Sequence, residues 1–380
     1  MPTNQAAWLT AKSARPLVVK SAPYTPPGAN EMVVKNAAIA VNPVDWAKQC
    51  GGDMIFSWIK YPFVLGGDLS GSVVEVGAGV TRFAVGDRVL AHAVGMDPTV
   101  NRSAESAFQE YTVVRANLAS PIPDSLAHDA ACVLPLCLST AACALFQKDF
   151  LALDYPAPTP DQNRKPEAER KTLLVWGAST AVGSNAVQLA VAAGYDVVAT
   201  ASPRNFHYVR TLGAAQVFDY RADTAVAEIV RCLKGRRVAG AVAVGDGSLE
   251  ACIDVVAAAA GAEGGGNKFV AQISVPFPDE MPTGVGGIVS AVVSLVWWNV
   301  KTWFKAKTNG VRTKFVFGST LMNNEVGRVV YQDFLPEALA RGNYVAAPEP
   351  LVVGNGLEFA QEALDVQKKG VSAKKVVVTL

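Results

Sequence analysis

The feature that most constrains the fold is a glycine turn between an apolar run and a helical pattern, at residues 173–183. The segment reads Leu-Leu-Val-Trp-Gly-Ala-Ser-Thr-Ala-Val-Gly, with glycines at positions 177 and 183. Gly177 permits a tight turn after a strand, and Gly183 lets the next helix pack closely against that strand. Free N–H groups at the start of such a helix can bind a pyrophosphate. Because the middle glycine of the G-x-G-x-x-G pattern is Ser179 here, a plain strand-to-helix turn stays an alternative.

Strand and helix patterns alternate around this turn. We predict strands at residues 172–177, 196–201 and 215–219, and helices at residues 182–193 and 205–212. Repetition of such units predicts a parallel, doubly wound sheet with right-handed crossovers. The fold class of this part is therefore α/β, with a Rossmann-type domain.

The first 120 residues have a different pattern, in which short strands are joined by turns rich in Gly, Pro and Asp. We predict strands at residues 31–41, 69–76, 88–93 and 108–114. This pattern is typical of an irregular antiparallel β domain.

The remaining segments set the domain boundaries. Residues 129–150 have a helical pattern, and the Pro-rich, charged residues 154–170 are expected to form an exposed loop. A helix at 357–369 and a strand at 375–379 are expected to return to the first domain. The predicted domains are residues 1–135 with 335–380, and residues 136–334.

Composition excludes several kinds of partner. The 380 residues carry a net charge of +1 with acids and bases evenly mixed, so nucleic acid and membrane surfaces are poor candidates. The first ten residues lack the pattern of a secretory signal, which favours a cytoplasmic protein. Six cysteines without a C-x-x-C pair are expected to be free and mostly buried thiols.

The longest apolar run, at residues 285–300, is followed by Lys301 and is shorter than the ~20 residues of a membrane span. A buried or subunit-interface segment is the expected structure. Because Trp297, Trp298 and Trp303 lie in or near it, a mobile apolar wall for a bulky substrate is the functional alternative.

The end of the second Rossmann strand favours NADPH over NADH. An NAD-binding protein would place Asp or Glu there, whereas this chain has Ser202-Pro203-Arg204-Asn205. A hydroxyl and a guanidinium bind a ribose 2′-phosphate, which a carboxylate would repel. Tyr220, after the third strand, is expected to complete the pocket. A solvated surface charge is the alternative for Arg204.

Further motifs occur along the chain. They are Asn42-Pro-Val-Asp45, Gly66-Gly-Asp-Leu-Ser-Gly71, Val85-Gly-Asp-Arg-Val89, Leu134-Pro135 and Leu138-Ser-Thr140-Ala. With the glycine turn, they make the chain resemble the medium-chain dehydrogenase/reductase superfamily over essentially its whole length. The segments Ser202-Pro-Arg-Asn205, Asp219-Tyr-Arg and Lys369-Gly-Val-Ser372 are most similar to fungal trans-acting enoyl reductases of secondary metabolism. Such proteins are often labelled zinc-binding dehydrogenases.

The resemblance implies a GroES-like β catalytic domain beside the Rossmann-type domain, with NADPH as the cofactor. The implied nicotinamide-end residues are Asn42, Val44, Asp45, Trp46 and, at the ribose, Thr140. The implied phosphate-binding residues are Ser179, Thr180, Ala181 and Val182 for the pyrophosphate, and Ser202, Pro203, Arg204, Asn205 and Tyr220 for the 2′-phosphate. The backbone of Gln272 and Phe317 would hold the carboxamide, and Ser372 would close over the cofactor.

Three residues are candidates for a catalytic role, namely Tyr61, Asp45 and Thr140. Tyr61 is the tyrosine in the segment where mitochondrial-type enoyl reductases of the superfamily have their proton donor. A packing role for Tyr61, with the proton taken from solvent, stays an alternative. Asp45 could instead only cap the helix that follows it.

The zinc ligands of the alcohol dehydrogenases of this superfamily are missing. Asn42 replaces the first cysteine, Gly67 the histidine and Leu136 the second cysteine, and residues 94–107 lack the structural cysteine lobe. Asp68 and His92 remain, and a core hydrogen bond or a position at the surface is the simpler role for each. We therefore expect no metal.

Without a metal, hydride transfer suits an acceptor that conjugation already makes electrophilic. The sequence thus predicts NADPH-dependent reduction of an enone, an enoyl thioester or a quinone, with an apolar conjugated small molecule as substrate. A ketone/alcohol oxidoreductase and a non-catalytic NADPH-binding protein are the alternatives. Both a homodimer and a monomer are compatible with the sequence.

Overall fold

The computed structural model describes residues 2–159, 166, 169–260, 266–277 and 284–380. The chain forms two compact units, which are Met1–Ser139 with Met322–Leu380, and Thr140–Leu321. We call them the first unit and the second unit. The sequence placed these boundaries at residues 135 and 335. Part of the predicted loop at 154–170 lies outside the described residues.

The strands of the first unit before the boundary are β1 Asn4–Leu9, β2 Val18–Ala22, β3 Glu31–Ala40, β4 Phe63–Val64, β5 Asp68–Val76, β6 Arg88–His92, β7 Tyr111–Arg115 and β8 Ala119–Pro121. The second unit has β9 Lys171–Trp176, β10 Asp196–Ala201, β11 Gln216–Asp219, β12 Arg237–Ala243, β13 Phe269–Gln272 and β14 Arg312–Phe315. Strands β15 Glu349–Asn355 and β16 Lys374–Thr379 belong to the first unit again.

The helices in chain order are α1 Pro43–Gly51, α2 His128–Ala131, α3 Pro135–Phe146, α4 Ala181–Ala192, α5 Phe206–Thr211, α6 Ala225–Leu233, α7 Ser248–Ala260, α8 Gly284–Thr308, α9 Glu325–Arg328, α10 Leu335–Ala340 and α11 Ala360–Lys369. A π-helical turn, Val329–Phe334, joins α9 to α10. The single helical pattern predicted at 129–150 is thus divided into α2 and α3, because Pro135 lacks a backbone N–H and suits the first turn of a helix.

The main sheet of the first unit has the order β15-β16-β3-β5-β6-β8, with β7 pairing with β3. Strand β16 lies antiparallel to β3, with Val377 opposite Ala40. Strand β16 of the carboxyl-terminal segment therefore lies in the main sheet of the first unit. Strands β1 and β2, which the sequence analysis did not predict, form a second sheet with β4 in the order β2-β1-β4. Apolar side chains of both sheets, among them Leu9 and Leu69, fill the core.

The second unit is built on a parallel sheet with the order β11-β10-β9-β12-β13-β14. The chain runs outward from β9 to β11 in one direction and from β12 to β14 in the other. The order therefore reverses between β9 and β12, which is the switch point where ligands bind in such sheets. This topology confirms the predicted doubly wound domain.

Helix α8 contradicts one of the two structures expected for residues 285–300, namely burial within the chain, and leaves the interface untested. Most of its described residues from 289 to 300 are exposed, and the exposed fractions are 69% for Trp297 and 59% for Trp303. Trp298 is only partly exposed, and its Nε1 donates a hydrogen bond of 2.8 Å to Glu250. Subunit interface and substrate wall stay as interpretations of this helix.

Among the described residues, one helical stretch, His128–Phe146, is long and apolar enough to cross a membrane by length and composition. Since 83% of its apolar stretch is buried inside the structure, it has the character of a core segment.

Candidate functional site

The glycine turn of the second unit follows β9 and requires glycine at two positions. Gly177 has a φ of +79°, and a Cβ at this position would lie 2.4 Å from the carbonyl oxygen of Val244. A Cβ on Gly183 would lie 2.3 Å from the carbonyl oxygen of Gly177. Both neighbours are backbone atoms, so rotation of a side chain cannot relieve either contact. The predicted tight turn and close helix packing are confirmed.

The amino terminus of α4 is accessible beyond this turn. The Thr180 hydroxyl accepts a hydrogen bond of 3.0 Å from the Gly183 N–H and donates one of 2.8 Å to the Gly177 carbonyl. Thr180 is exposed, while Ser179, Ala181 and Val182 are partly exposed. An anion can therefore approach the first turn of α4, where the helix dipole and N–H groups favour negative charge.

The predicted 2′-phosphate residues lie at the same edge of the sheet. Strands β10 and β11 are parallel neighbours with Ala201 opposite Asp219, so residues 202–205 and Tyr220 both begin at their carboxyl ends. The N–H of Gly177 donates 3.0 Å to the Thr200 hydroxyl, which fixes the glycine turn to the end of β10. The structure thus brings the two predicted phosphate-binding segments to one edge of the sheet.

The side chains in this region suit a phosphate. Arg204 and Pro203 are exposed, Tyr220 is 38% exposed, and Ser202 and Asn205 are buried. Arg221 stacks over the Tyr220 ring at 5.3 Å. Among the ion pairs of the described residues, none involves the exposed guanidinium of Arg204. The backbone N–H of Asn205 donates a hydrogen bond of 2.8 Å to the carbonyl of Ser202.

Thr140 lies close to Gly318, the residue after Phe317, in the second unit. The Thr140 hydroxyl oxygen is 2.4 Å from the position that a Cβ on Gly318 would take. The Gln272 carbonyl accepts a hydrogen bond of 2.9 Å from Val316, and the Phe317 carbonyl accepts one of 2.8 Å from the Thr320 hydroxyl. Their carbonyls therefore already have partners, and the role of both residues at a carboxamide stays a prediction.

In the first unit, Asp45 caps helix α1. Its Oδ2 accepts a hydrogen bond of 2.7 Å from the N–H of Asn42, and the side chain is buried. Burial is the main cause that raises the pKa of Asp45 to about 7, and nearby Asp68 acts in the same direction, while the hydrogen bond from the Asn42 N–H acts against both. The capping alternative is therefore what this geometry supports, and a catalytic role for Asp45 stays a prediction.

We predict that Asp45 makes stability fall as the pH rises. With a folded pKa of about 7 against the ordinary 3.8, the folded chain holds a proton at pH 5 that the unfolded chain has released. This contribution is full at low pH and is lost as the pH rises through 7. Between pH 5 and pH 8, urea unfolding should show a loss of stability about 2 kcal/mol larger in the parent than in Asp45→Asn.

The control for this prediction is Asp124→Asn, because the Asp124 side chain is fully exposed. This variant should keep the pH dependence of the parent. Parallel curves for the parent and Asp45→Asn would contradict the prediction.

A buried polar cluster surrounds Lys375 on strand β16. The Lys375 Nζ lies 2.9 Å from Asp68 Oδ2 and 3.3 Å from Cys137 Sγ, and it donates a hydrogen bond to Asn42 Oδ1. Asn42 Nδ2 donates to Asp68 Oδ2 at 2.8 Å, and the N–H of Leu136 donates to Asp68 Oδ1 at 2.5 Å. Sequence reasoning missed Lys375, although a lysine inside the apolar strand KKVVVT was a signal.

His92 makes a core hydrogen bond, which is one of the two roles that the sequence analysis left open. Its Nδ1 is 3.0 Å from the Ser139 hydroxyl, which is 2.8 Å from the Tyr331 hydroxyl. Tyr331 donates in turn to the Pro135 carbonyl at 2.9 Å. Burial lowers the pKa of His92 to about 4, so the ring is neutral near pH 7.

Tyr61 lies near the surface, and its hydroxyl donates a hydrogen bond of 3.1 Å to Asp53. Burial and the Asp53 carboxylate raise the pKa of Tyr61 to about 12. The Lys48 Nζ lies 5.0 Å from the centroid of the Tyr61 ring and donates to the carbonyls of Gly52 and Ile55 at 2.9 Å each. The hydrogen bonds of Lys48 therefore stabilise the backbone of the segment that follows α1.

The other predicted residues of the first unit are accessible to different degrees. Val44 and Trp46 are partly exposed and pack against the core, and the Lys368 Nζ lies 6.0 Å from the Trp46 ring centroid. Ser372 is exposed in the segment between α11 and β16. Their places at a cofactor stay predictions.

Comparisons with known proteins identify the family. A family model described as the alcohol dehydrogenase GroES-like domain matches residues 28–124. The dehydrogenase pigH of Monascus ruber is 50% identical over 380 residues, with 100% of each chain covered. The trans-enoyl reductase himH of Aspergillus japonicus is 39% identical over 381 residues, which cover 99% of this chain and 97% of that protein. The chain belongs to the medium-chain dehydrogenase/reductase superfamily.

A solved structure supports the same assignment at the level of the fold. The CurK enoyl reductase matches with a TM-score of 0.70 and 18% identity, over 100% of this chain and 99% of that chain. The predicted fold class, a GroES-like β domain with a Rossmann-type domain, is confirmed. Medium-chain dehydrogenases/reductases are oxidoreductases with a nicotinamide cofactor, and the accessible helix start after the glycine turn fits the pyrophosphate of that cofactor.

Zinc, which other medium-chain dehydrogenases/reductases bind, does not fit this chain. The segments that would supply ligands converge in the first unit, but the space between Asn42, Asp68 and Cys137 holds the Lys375 ammonium. A second cation at that point would meet strong repulsion. Among the described residues, no group of three or more His, Cys, Asp or Glu side chains could hold a metal ion.

Proposed function

We propose that this oxidoreductase uses NADPH to reduce a conjugated carbon–carbon double bond, in an enone or enoyl thioester, or a quinone, without a metal. The observation that carries the cofactor choice is the carboxyl end of β10, where the exposed Arg204 and the buried Ser202 stand in place of the carboxylate of an NAD site. The reaction type is supported by the likeness to proteins named trans-enoyl reductase.

Binding would use the carboxyl edge of the parallel sheet in the second unit. The accessible first turn of α4 would bind the pyrophosphate, and Arg204 with Ser202 and Tyr220 would bind the 2′-phosphate by charge-assisted hydrogen bonds. Bound NADPH supplies the hydride. Thr140 would contact the nicotinamide ribose, so that the protein's share of catalysis is largely orientation of the reacting carbon atoms.

The electrostatics favour a substrate that needs no Lewis acid. The ammonium of Lys375 is committed to Asp68, Asn42 and Cys137, so it cannot also polarise an isolated ketone. A ketone or alcohol substrate depends on such polarisation. A conjugated acceptor instead spreads the developing negative charge over its own atoms, which is why we place it first.

Tyr61→Phe should leave the rate of enone reduction within about twofold of the parent. The Tyr61 hydroxyl donates to Asp53 near the surface, and its pKa of about 12 makes it a weak acid near pH 7. Solvent then supplies the proton. Steady-state rates measured at pH 6 to 9 check this expectation, and a loss of about 100-fold or more, typical of general acid catalysis, would restore Tyr61 as the donor.

The decisive test follows NADPH absorbance while the purified, metal-analysed protein meets quinones, enones, enoyl thioesters, ketones and alcohols. We expect turnover of conjugated acceptors, faster with NADPH than with NADH, and unchanged by a chelator. Turnover of simple ketones or alcohols alone would refute the proposal in favour of a dehydrogenase. Tight NADPH binding without any turnover would instead indicate a binding protein.

A further inference from the structure

The buried cluster of the first unit has the composition of a cation site. Its donors come from parts of the chain that are far apart in sequence, with Asn42 before α1, Asp68 at the start of β5 and Cys137 in α3. Their oxygen and sulfur atoms converge on one point, the Nζ of Lys375. The exposed fraction is 3% for the Lys375 side chain and 0% for Asp68, so water does not compete for the charge.

A buried ammonium is tolerated only when its charge is paired and all its N–H groups are hydrogen-bonded, because an isolated buried charge is strongly unfavourable. Burial by itself lowers the pKa of Lys375, but the Asp68 carboxylate and the Cys137 sulfur outweigh it and raise the pKa above its ordinary value. The three N–H groups of the ammonium have three acceptor atoms within reach, on Asp68, Asn42 and Cys137. The lysine is therefore a fixed positive charge near pH 7.

We propose that Lys375 is the resident cation of this site and holds the surrounding segments as a bound metal ion would. The sequence positions support this comparison, since zinc ligands of the superfamily would fall at Asn42, at Gly67 beside Asp68 and at Leu136 beside Cys137. Lys375 is thus a positioning residue, and its side chain makes the site independent of metal.

The ammonium acts through its two oxygen partners. Asn42 connects it to α1, since the Asn42 N–H donates to the capping carboxylate of Asp45 at 2.7 Å. Asp68 connects it to α3, since Asp68 Oδ1 accepts the Leu136 N–H at 2.5 Å. One charge therefore fixes the start of two helices, and the first of them carries Val44, Asp45 and Trp46.

The first test removes the cation and compares two adjacent lysines. Lys375→Ala should lower the melting temperature by about 10 °C, because it leaves the Asp68 carboxylate buried without its partner. Lys374→Ala is the matched control, since Lys374 is partly exposed and pairs with Glu349 at the surface. It should shift the melting temperature by less than about 2 °C.

The second test refills the site in Lys375→Ala. Propylammonium has the size of the deleted atoms and should restore at least half of the lost melting temperature, whereas tetraethylammonium at equal ionic strength should not. Cobalt(II) should bind to the same variant and give a thiolate-to-cobalt absorption band, with loss of the Cys137 proton. The band should be absent from the parent and from Lys375→Ala/Cys137→Ser. A structural lysine that is no more than packing would give neither rescue nor band.

A third variant covers the case in which Lys375→Ala does not fold. Lys375→Met/Asp68→Asn removes both charges at nearly constant volume, so it should fold and exceed Lys375→Met in melting temperature by about 5 °C or more. The proposal is overturned if this double variant is no more stable than the single one, if neither cation binds to Lys375→Ala, or if the parent itself shows the cobalt–thiolate band. These readouts are independent of NADPH turnover, so their failure is distinct from a failure of the proposed reaction.

Discussion

Replacing Arg204 by alanine should raise the KM for NADPH about 30-fold and leave the KM for NADH within about twofold. The factor follows from a charge-assisted contact to the 2′-phosphate of about 2 kcal/mol. NADH lacks that phosphate, so it has nothing to lose when the guanidinium is removed. Steady-state kinetics with both cofactors, at one fixed acceptor concentration, measure the two values.

The neighbouring arginine provides the control. Arg210 lies on α5, is exposed and stacks over the Phe206 ring at 5.7 Å, so Arg210→Ala removes the same charge from the same unit. We expect its effect on either cofactor to stay below about threefold, as for a screened surface charge. Equal losses for NADPH and NADH in Arg204→Ala would contradict a 2′-phosphate contact. The exposed surface charge considered for Arg204 would then be the better interpretation.

Replacing Gly183 by alanine should destabilise the second unit by about 3 kcal/mol and raise the Kd for NADPH tenfold or more. The added Cβ would lie 2.3 Å from the Gly177 carbonyl oxygen, a backbone atom, so the helix start and the glycine turn must move apart. That displacement changes the surface proposed to bind the pyrophosphate. Urea unfolding and a fluorescence titration with NADPH measure the two effects.

Gly286→Ala is the matched control for this prediction. A Cβ at this position in α8 meets no atom within 4 Å, so the same added methyl group causes no clash. Because alanine is the better helix former, stability should be unchanged or higher by up to about 1 kcal/mol. If Gly183→Ala changes the free energy of unfolding and the Kd for NADPH no more than Gly286→Ala does, the close packing of α4 on the glycine turn does not determine the geometry of this site.

The second unit was largely predictable from sequence because its signals are local. The turn at Gly177, the strand patterns and the residues after β10 each depend on neighbours within about ten positions. The parallel sheet then follows from the repetition of strand and helix. Arg204 and Tyr220 could be placed at one edge because the carboxyl ends of parallel strands meet there.

The first unit was less predictable because its key contacts are distant in sequence. The pairing of Lys375 with Asn42 joins positions 333 residues apart, and no local pattern encodes it. Strand β1 begins in a polar segment, and its apolar residues reach the core through pairing with β2 and with β4, which is distant in sequence. Helix α8 was predicted only in part, since its apolar residues indicate a buried or interface segment, and the described part of the chain leaves most of them exposed.

The closeness of Thr140 and Gly318 has a consequence for the order in which the chain folds. These residues lie near the two ends of the second unit, so that unit closes into a loop whose ends are neighbours. During synthesis from the amino terminus it is complete before β16 exists. Its folding then replaces a long flexible connection between β3 and β16 by a short one, which lowers the entropy cost of their pairing. Before β16 pairs with β3, the Asp68 carboxylate has to stay hydrated, because the Lys375 ammonium is on β16.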